Sequence, residues 1–414
     1  MTRMPPSASA ARLSPLVIIF CTVFIDLLGF GIIIPLLPFY AETFGATGFV
    51  VGMLLASFSL MQFLFAPIWG RISDRIGRRP VILIGLFGSF ASYLIFGLAR
   101  SLTVLFVARV FAGVAGATIP TAQAFIADTT APENRAKGMG IVGAAFGLGF
   151  VFGPAVGGFL SQWGYAVPAF FASALSLANF SAAVFLLPES RPAASRPLDR
   201  RRVPPGRIEA LRRALARPYL PTLLVVYFIV IAAFSGFEAT FALFGERRFG
   251  FTALTIGYLF ALVGVVLSIV QGALVGRAAR SIGERRIVPI AILFLAAGLG
   301  LIPLSRTLPL LVMASLLLAI GMGFNSPSIV SLISRLSSAD EQGGVLGVSQ
   351  SLASLARVIG PAWGGFTFDR FGIAVPYVLA SLAMLLACVL SVIGLRHVRL
   401  DRVASLGKIA NVEG

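Results

Sequence analysis

Four ionisable residues lie where a charge is costly: Asp26, Arg109, Glu238 and Arg357 each fall inside a long run of apolar residues. On insertion scales a charge at the centre of a bilayer costs at least ~2.5 kcal/mol, so it persists only with a partner or beside an aqueous cavity. If the runs are helical, Asp26 lies ~15 Å and Arg109 ~20 Å from the same surface. Those depths are close enough for the two to pair. A carboxyl group in a low-dielectric site holds a proton more readily than in water, and an adjacent guanidinium opposes that, so whatever separates them changes proton occupancy. The chemistry on offer is reversible protonation coupled to a change of shape. Glu238 and Arg357 make a second pair, at ~25 and ~20 Å. There Glu238 either meets a cationic group on a substrate or only neutralises Arg357.

The elements that must hold these residues are membrane helices. Hydrophobic residues make up 58% of the 414 and charged residues only 12%, against 45 to 50% apolar in ordinary soluble domains. Twelve apolar runs can be marked, at 16–39, 48–70, 81–99, 102–127, 138–161, 167–187, 219–244, 252–276, 287–304, 308–332, 345–366 and 375–395. The fold class expected is an all-α membrane protein. The formal charge of +17 would point to nucleic acid in a soluble chain, but most of the Lys and Arg fall on the side shared by the N-terminus and the even-numbered loops. That bias puts both termini in the cytoplasm of a multi-pass protein of the cell (inner) membrane. The small residues of Pro6 to Ala11 precede the first run, whereas a signal-peptidase site would follow it, so that run stays in the mature chain. Cys21 and Cys388 lie in apolar runs and the only histidine, His397, follows the last. They build neither a disulfide framework nor a metal site, and no cofactor is expected.

Between the second and third runs stands a charged bridge, Gly70 to Pro80, reading GRISDRIGRRP. Its Gly-x-x-x-Asp-Arg-x-Gly-Arg-Arg spacing resembles the loop-two signature of the major facilitator superfamily of secondary transporters. The chain also repeats itself at an offset of about 206. Gly70-Arg71 to Gly77-Arg78-Arg79 aligns with Gly276-Arg277 to Gly283-Glu284-Arg285, with Arg280 where the first copy has Asp74. Gly153-Pro154-Ala155-Val156-Gly157-Gly158-Phe159 aligns with Gly360-Pro361-Ala362-Trp363-Gly364-Gly365-Phe366. Two six-helix bundles in parallel repeat, with the substrate site at the midplane between them, are what the resemblance implies. The division expected is a bundle at 1–187, a cytoplasmic linker at 188–218 and a second bundle with a short tail at 219–414. Within the Pro- and Arg-rich linker, Ile208 to Ala216 reads as a basic amphipathic helix lying on anionic lipid.

The fifth run carries Gly143, Gly147, Gly149, Gly153, Pro154, Gly157 and Gly158. Four-residue intervals set bare backbone along one side of a helix and allow a neighbour close approach. This stretch resembles the antiporter signature of the twelve-span drug/proton antiporters, and Phe24 to Gly31 with Pro35 and Pro38 resembles their tetracycline/proton branch. Arg109 matches that branch's fourth-span arginine, associated with proton transfer, so Asp26 and Arg109 are the expected proton-coupling residues. The resemblance further implies a conformational latch at Gly70, Asp74, Arg75, Gly77, Arg78 and Asp128. Asp74 would face the start of the eleventh span, and Arg78 would reach the acid ending the fourth. The expected cavity lining is Phe30, Gln62, Phe63, Gln123, Phe146, Phe234, Phe237, Glu238, Phe241, Asn325, Gln350 and Arg357. With 36 phenylalanines and few amides, such walls suit a flat amphiphile better than a sugar.

The function these observations favour is proton-coupled antiport of an amphiphilic, drug-like molecule by alternating access, in a protein functional as a monomer. A proton-coupled importer of a small metabolite is the alternative, and a non-transporting receptor or scaffold is a third reading. The sequence argues against an ATP-driven pump, since it has no Gly-x-x-x-x-Gly-Lys-Ser/Thr loop. It also argues against an enzyme, since no nucleophile and base share a depth.

Overall fold

The computed structural model describes residues 14–130, 135–190, 219–337 and 342–396, with a few positions between 209 and 217. The expected amphipathic helix at Ile208 to Ala216, most of the linker, and His397 lie outside the described residues. All regular structure described is helical. The spans are Pro15–Ile33, Gly48–Ile76, Arg78–Gly97, Leu102–Thr129, Arg135–Leu160, Ala166–Leu186, Leu220–Phe249, Ala253–Ile282, Glu284–Leu301, Leu308–Arg335, Gln342–Phe371 and Val375–Leu395, here numbered 1 to 12. Ten are long and apolar enough to cross a bilayer by composition alone. Span 9 opens on three charges, and span 11 is diluted by Gln350, Arg357 and interspersed serines. Exposed large hydrophobics such as Val107, Phe185, Leu293 and Ile393 cover the outside, as a surface meeting lipid requires.

Local chemistry sets the span ends. Thr47 Oγ1 accepts the Val50 N–H at the start of span 2, and Ser101 Oγ the Val104 N–H at the start of span 4, both N-caps. Two expected boundaries are corrected. The first run was expected to continue to Phe39, but span 1 ends at Ile33 and a separate short helix, Leu37–Glu42, follows. Pro35 and Pro38 cannot donate into the helix they would extend. The second run was expected to end at Gly70 and the third to begin at Val81, yet span 2 runs on to Ile76 and span 3 begins at Arg78, which leaves Gly77 as the whole connection. Its φ of 107° makes that possible.

The repeat is visible in the backbone. The six glycines at positive φ fall into three pairs, Gly45 with Gly250, Gly77 with Gly283, and Gly164 with Gly372. Each pair marks the same turn in the two halves. Within the first half span 1 packs on 5, 3 on 6 and 2 on 4. Within the second, span 7 packs on 11, and 9 on 10 and 12. The halves meet along two seams, span 2 with 11 and span 5 with 8.

Both seams close at only one end. On the face opposite the Gly70 to Pro80 bridge, a side chain at Gly52 would strike the Pro361 carbonyl, one at Gly365 would strike the backbone of Gly48, and one at Gly158 that of Ala253. Asp369 at the end of span 11 accepts the Gly48 N–H at 2.9 Å and the Phe49 N–H at 2.7 Å, so one half caps a helix of the other. Towards the bridge face, Gly70, Gly140, Gly143, Gly272, Gly276, Gly343 and Gly347 look into open space. One buried core joins both halves at the far face and continues through the second half, while Ile19, Val23, Leu27, Ile82 and Phe125 form a separate core in the first half. The molecule is therefore shut at the far face and open at the bridge face.

Candidate functional site

Asp26 sits in the middle of span 1, partly exposed, and its Oδ1 accepts a hydrogen bond of 2.7 Å from Ser89 Oγ of span 3. Thr118, where span 4 breaks and restarts, stands beside it. Span 1 is fixed from behind by Asn179, whose Nδ2 donates to the Thr22 carbonyl at 2.9 Å. The expected glycine face forms its other support. Gly149, Gly153 and Gly157 lie against Leu27, Gly31 and Ile32, backbone on backbone, so a Cβ at Gly153 would enter the Gly31 main chain. The second copy repeats this, with Gly360 and Gly364 against Ala232 and Gly236 of span 7. Pro154 adds a further role, since its carbonyl meets Gly257 across the seam to span 8.

Arg109 is buried, but the expected Asp26–Arg109 pair does not form. The guanidinium lies over the Phe58 ring, 4.5 Å from its centroid, and its Nε has no hydrogen-bond partner. Tyr93 stands within electrostatic reach of both residues. The physical reason is the helix packing: span 1 presents Asp26 to Ser89 of span 3, whereas span 4 packs Arg109 on span 2. Phe58 continues into Phe30 at 5.4 Å, Phe150 at 6.3 Å from Phe30, and Phe146 at 6.5 Å from Phe150. An aromatic wall thus leads from Arg109 across spans 2, 1 and 5. Phe58 and Phe150 were not singled out in the sequence, because one phenylalanine among 36 carries no signal of its own.

In the second half Glu238 and Arg357 are partly exposed and interact electrostatically, without an ion pair. Phe30, Gln62, Phe63, Phe146 and Phe234 are likewise partly exposed, and Gln123 and Gln350 are exposed. Three expected lining residues are inside the packing instead. Phe237 and Phe241 belong to a ring stack running from Phe234 to Phe260, and Asn325 has no exposed surface. Closure at the far face buries that part of span 7, so this conformation does not present them to the opening.

The latch is built around Arg78. Its Nη1 meets Asp74 Oδ1 at 2.9 Å and Ser73 Oγ at 2.8 Å, and its Nε meets Asp128 Oδ2 at 2.9 Å. Glu189, unremarked in the sequence, accepts the backbone N–H groups of Arg78 at 2.9 Å and Arg79 at 3.3 Å, capping span 3. The sequence signal was there: an acid just beyond the end of span 6, on the same face. Within its own half Asp74 pairs with Arg78; residues 338–341, just before the start of span 11, lie outside the described residues. Gly70 and Arg75 are exposed beside Asp74.

The second half carries the Arg78–Asp128 pair with its signs reversed. Arg280, Glu284 and Arg335 occupy the places of Asp74, Arg78 and Asp128, and Arg335 Nη2 holds the buried Glu284 Oε1 at 3.0 Å with Ser331 Oγ at 3.1 Å. Arg280, which breaks the first-half pattern when read alone, likewise has the sign opposite to Asp74. Glu284→Arg is expected to lower the thermal unfolding midpoint in detergent by the equivalent of about 1–3 kcal/mol, the half-exposed Arg335 keeping the cost below that of a fully buried pair. Glu284→Arg with Arg335→Glu should recover most of that loss, whereas a purely steric role for Glu284 would leave the double variant as unstable as the single.

Two repeated bundles packed on two seams, one face shut and the other open, with an acid in the middle of span 1, define a membrane transporter of the alternating-access type. The family model of the Major Facilitator Superfamily matches residues 19–281 and 272–410, and the chain belongs to that family. It is 31% identical to multidrug resistance protein 2 of Bacillus subtilis over 91% of this chain and 94% of that one. It is 35% identical to the class E tetracycline resistance protein of Escherichia coli over 84% of this chain and 86% of the other. Among solved structures, the human organic anion transporter MFSD10 (TETRAN) superposes with a TM-score of 0.71 at 29% identity, over 94% of this chain and all of that one.

Proposed function

We propose that this protein is a proton-driven antiporter that exports amphiphilic, drug-like small molecules, working as a monomer in the cell (inner) membrane with both termini in the cytoplasm. On that orientation the bridge face is cytoplasmic and the structure is the inward-open state. The bundles at 1–187 and 219–414 rock against each other about the 2/11 and 5/8 seams. Asp26 carries the proton, Arg109 sets the electrostatic field around it, and Arg78 with Asp74 and Asp128 secures the bridge face when the halves close there.

The observation that carries this reading is Asp26, a carboxylate in the opening held by the Ser89 hydroxyl, with Tyr93 in electrostatic reach of both it and the buried Arg109. In such a place the ionised acid attracts a cationic or polar edge of the cargo, and protonation removes that attraction. Cargo and proton then exclude each other, which is the requirement for exchange. The names of the relatives, multidrug and tetracycline resistance proteins, agree with a cargo of this class. The aromatic wall from Phe58 to Phe146 offers faces for a flat apolar ring system.

The test is uphill movement of a fluorescent amphiphilic cation in proteoliposomes of known orientation, under an imposed proton gradient and without ATP. The dye should move against the direction of proton flow, with a matching change in internal pH. Movement of dye with the protons would establish import instead, and movement indifferent to the gradient would overturn the coupling.

A further inference from the structure

At the far face two carboxyl groups from opposite halves meet. Glu42 ends the short helix after span 1, outside the membrane spans, and Glu246 lies one turn from the end of span 7. Their side chains are within hydrogen-bonding reach of each other, a contact that two carboxylates make only when one of them holds a proton. Oε2 of Glu246 is buried and receives no hydrogen bond from a neighbouring donor. Among the described residues the cation that reaches Glu42 is Arg247, whose Nη2 stands 3.5 Å from Glu42 Oε1 and whose guanidinium is stacked on Phe368 of span 11 at 4.8 Å. Tyr40 spends its hydroxyl on the Ala99 carbonyl, Tyr165 stands beside both acids, and Asp369 spends both oxygens on the start of span 2.

We propose that Glu42 and Glu246 form a one-proton lock, which holds the far face shut while a proton sits between them and releases it when that proton leaves. Burial, with Glu246 alongside, pushes the Glu42 carboxyl up to about 7, and Arg247 offsets only part of this. When the halves part, the acids separate and water reaches both, so Glu42 returns towards the ordinary carboxylate range. The closed state thus binds the proton more tightly than the open one. By linkage, closure is favoured below pH 7 or so and loses that advantage as the pH rises through it. If the far face is external, as the antiport reading has it, the outer gate shuts by taking a proton from outside. The lock itself rests on the far-face geometry and not on the cargo.

The test uses the full chain with Cys21→Ser and Cys388→Ser, and nitroxide labels at Arg100→Cys and Arg306→Cys. Both positions are exposed, one in each half. Distances are read by double electron–electron resonance at pH 5.5 and 8.5, with no substrate and no gradient, so the outcome is independent of the transport assay. The short distance should dominate at pH 5.5 and give way to a longer one at pH 8.5, with a midpoint near 7. Glu42→Gln, and separately Glu246→Gln, should keep the short distance at both pH values, because an amide donates permanently where the proton did. Two variants in different halves guard against one failing to fold. A parent without a pH response, or a response that survives in both variants, overturns the lock. So does its loss in Asp26→Asn, which would put the sensor at the midplane; a response retained in Asp26→Asn supports the far-face site.

Discussion

Asp26→Asn should abolish uphill export while leaving a protein that still folds and still binds uncharged amphiphiles, and that binds a cationic dye only as weakly as the protonated parent does. Asparagine keeps the shape of the side chain and an oxygen to accept the Ser89 hydrogen bond, so binding of an uncharged ligand should change by less than about 1 kcal/mol, the net worth of one hydrogen bond. What it cannot do is gain and lose a proton. Three consequences follow from that one difference. Gradient-driven dye export falls to the level of empty liposomes; exchange of labelled for unlabelled uncharged ligand across the membrane, which needs no proton, persists; and affinity for the cationic dye, pH-dependent in the parent, becomes low and flat between pH 5.5 and 8.5. A variant that pumps at the parental rate would remove Asp26 from the mechanism and leave the fold assignment untouched.

Arg78→Ala should produce the largest loss of stability among the latch substitutions. The arginine is 8% exposed and holds Asp74, Asp128 and Ser73 together. Its removal leaves Asp128 and Ser73 without that partner at the junction of spans 2, 3 and 4. Breaking one side of a buried pair costs about 3–5 kcal/mol, and the exposure of Asp74, 56% at the side chain, places the expected cost near the lower end. A midpoint lower by several degrees in a detergent thermal shift is the readout, since 1 kcal/mol moves chains of 150–250 residues by about 2–4 °C. Arg78→Lys should fall between the two. A lysine keeps the charge, but its single ammonium does not hold two acids from fixed, separate directions as the guanidinium fork does. The span 3 cap survives in both variants, because Glu189 bonds the backbone of residues 78 and 79 and not the side chain. Equal stability of all three proteins would show that the pairs at this corner contribute nothing.

These two residues differ in how far the sequence alone reveals them. Asp26 is conspicuous because a carboxylate in an apolar run has few bland explanations, and its depth follows from counting residues at 1.5 Å each. Arg78 is conspicuous through its spacing from Gly70 and Asp74. Glu189 and Glu284 are different. Each is a single acid near a span end, a place where charged residues are common, and its role depends on which helix lies beside it. Arg335 likewise acquires meaning only when spans 9 and 10 come together, for then the reversed signs at 284 and 335 form one ion pair in the place of Arg78 and Asp128 instead of two unrelated departures from the first copy.

The sequence by itself determined the number and order of the spans, the twofold repeat and the glycine-lined contact faces. These depend on local apolar content and on identities repeated at a fixed offset, and both can be counted along one chain. Only the tertiary structure decided that Asp26 bonds Ser89 instead of Arg109, that Arg109 lies on Phe58, and that the far face is shut by Glu42, Arg247 and Asp369 across the two halves. The physical reason is rotation: a helix's sequence fixes the depth of a side chain, but its direction about the axis is chosen by the neighbour it packs on. Whether two residues at one depth become a pair is therefore settled between helices and not within them.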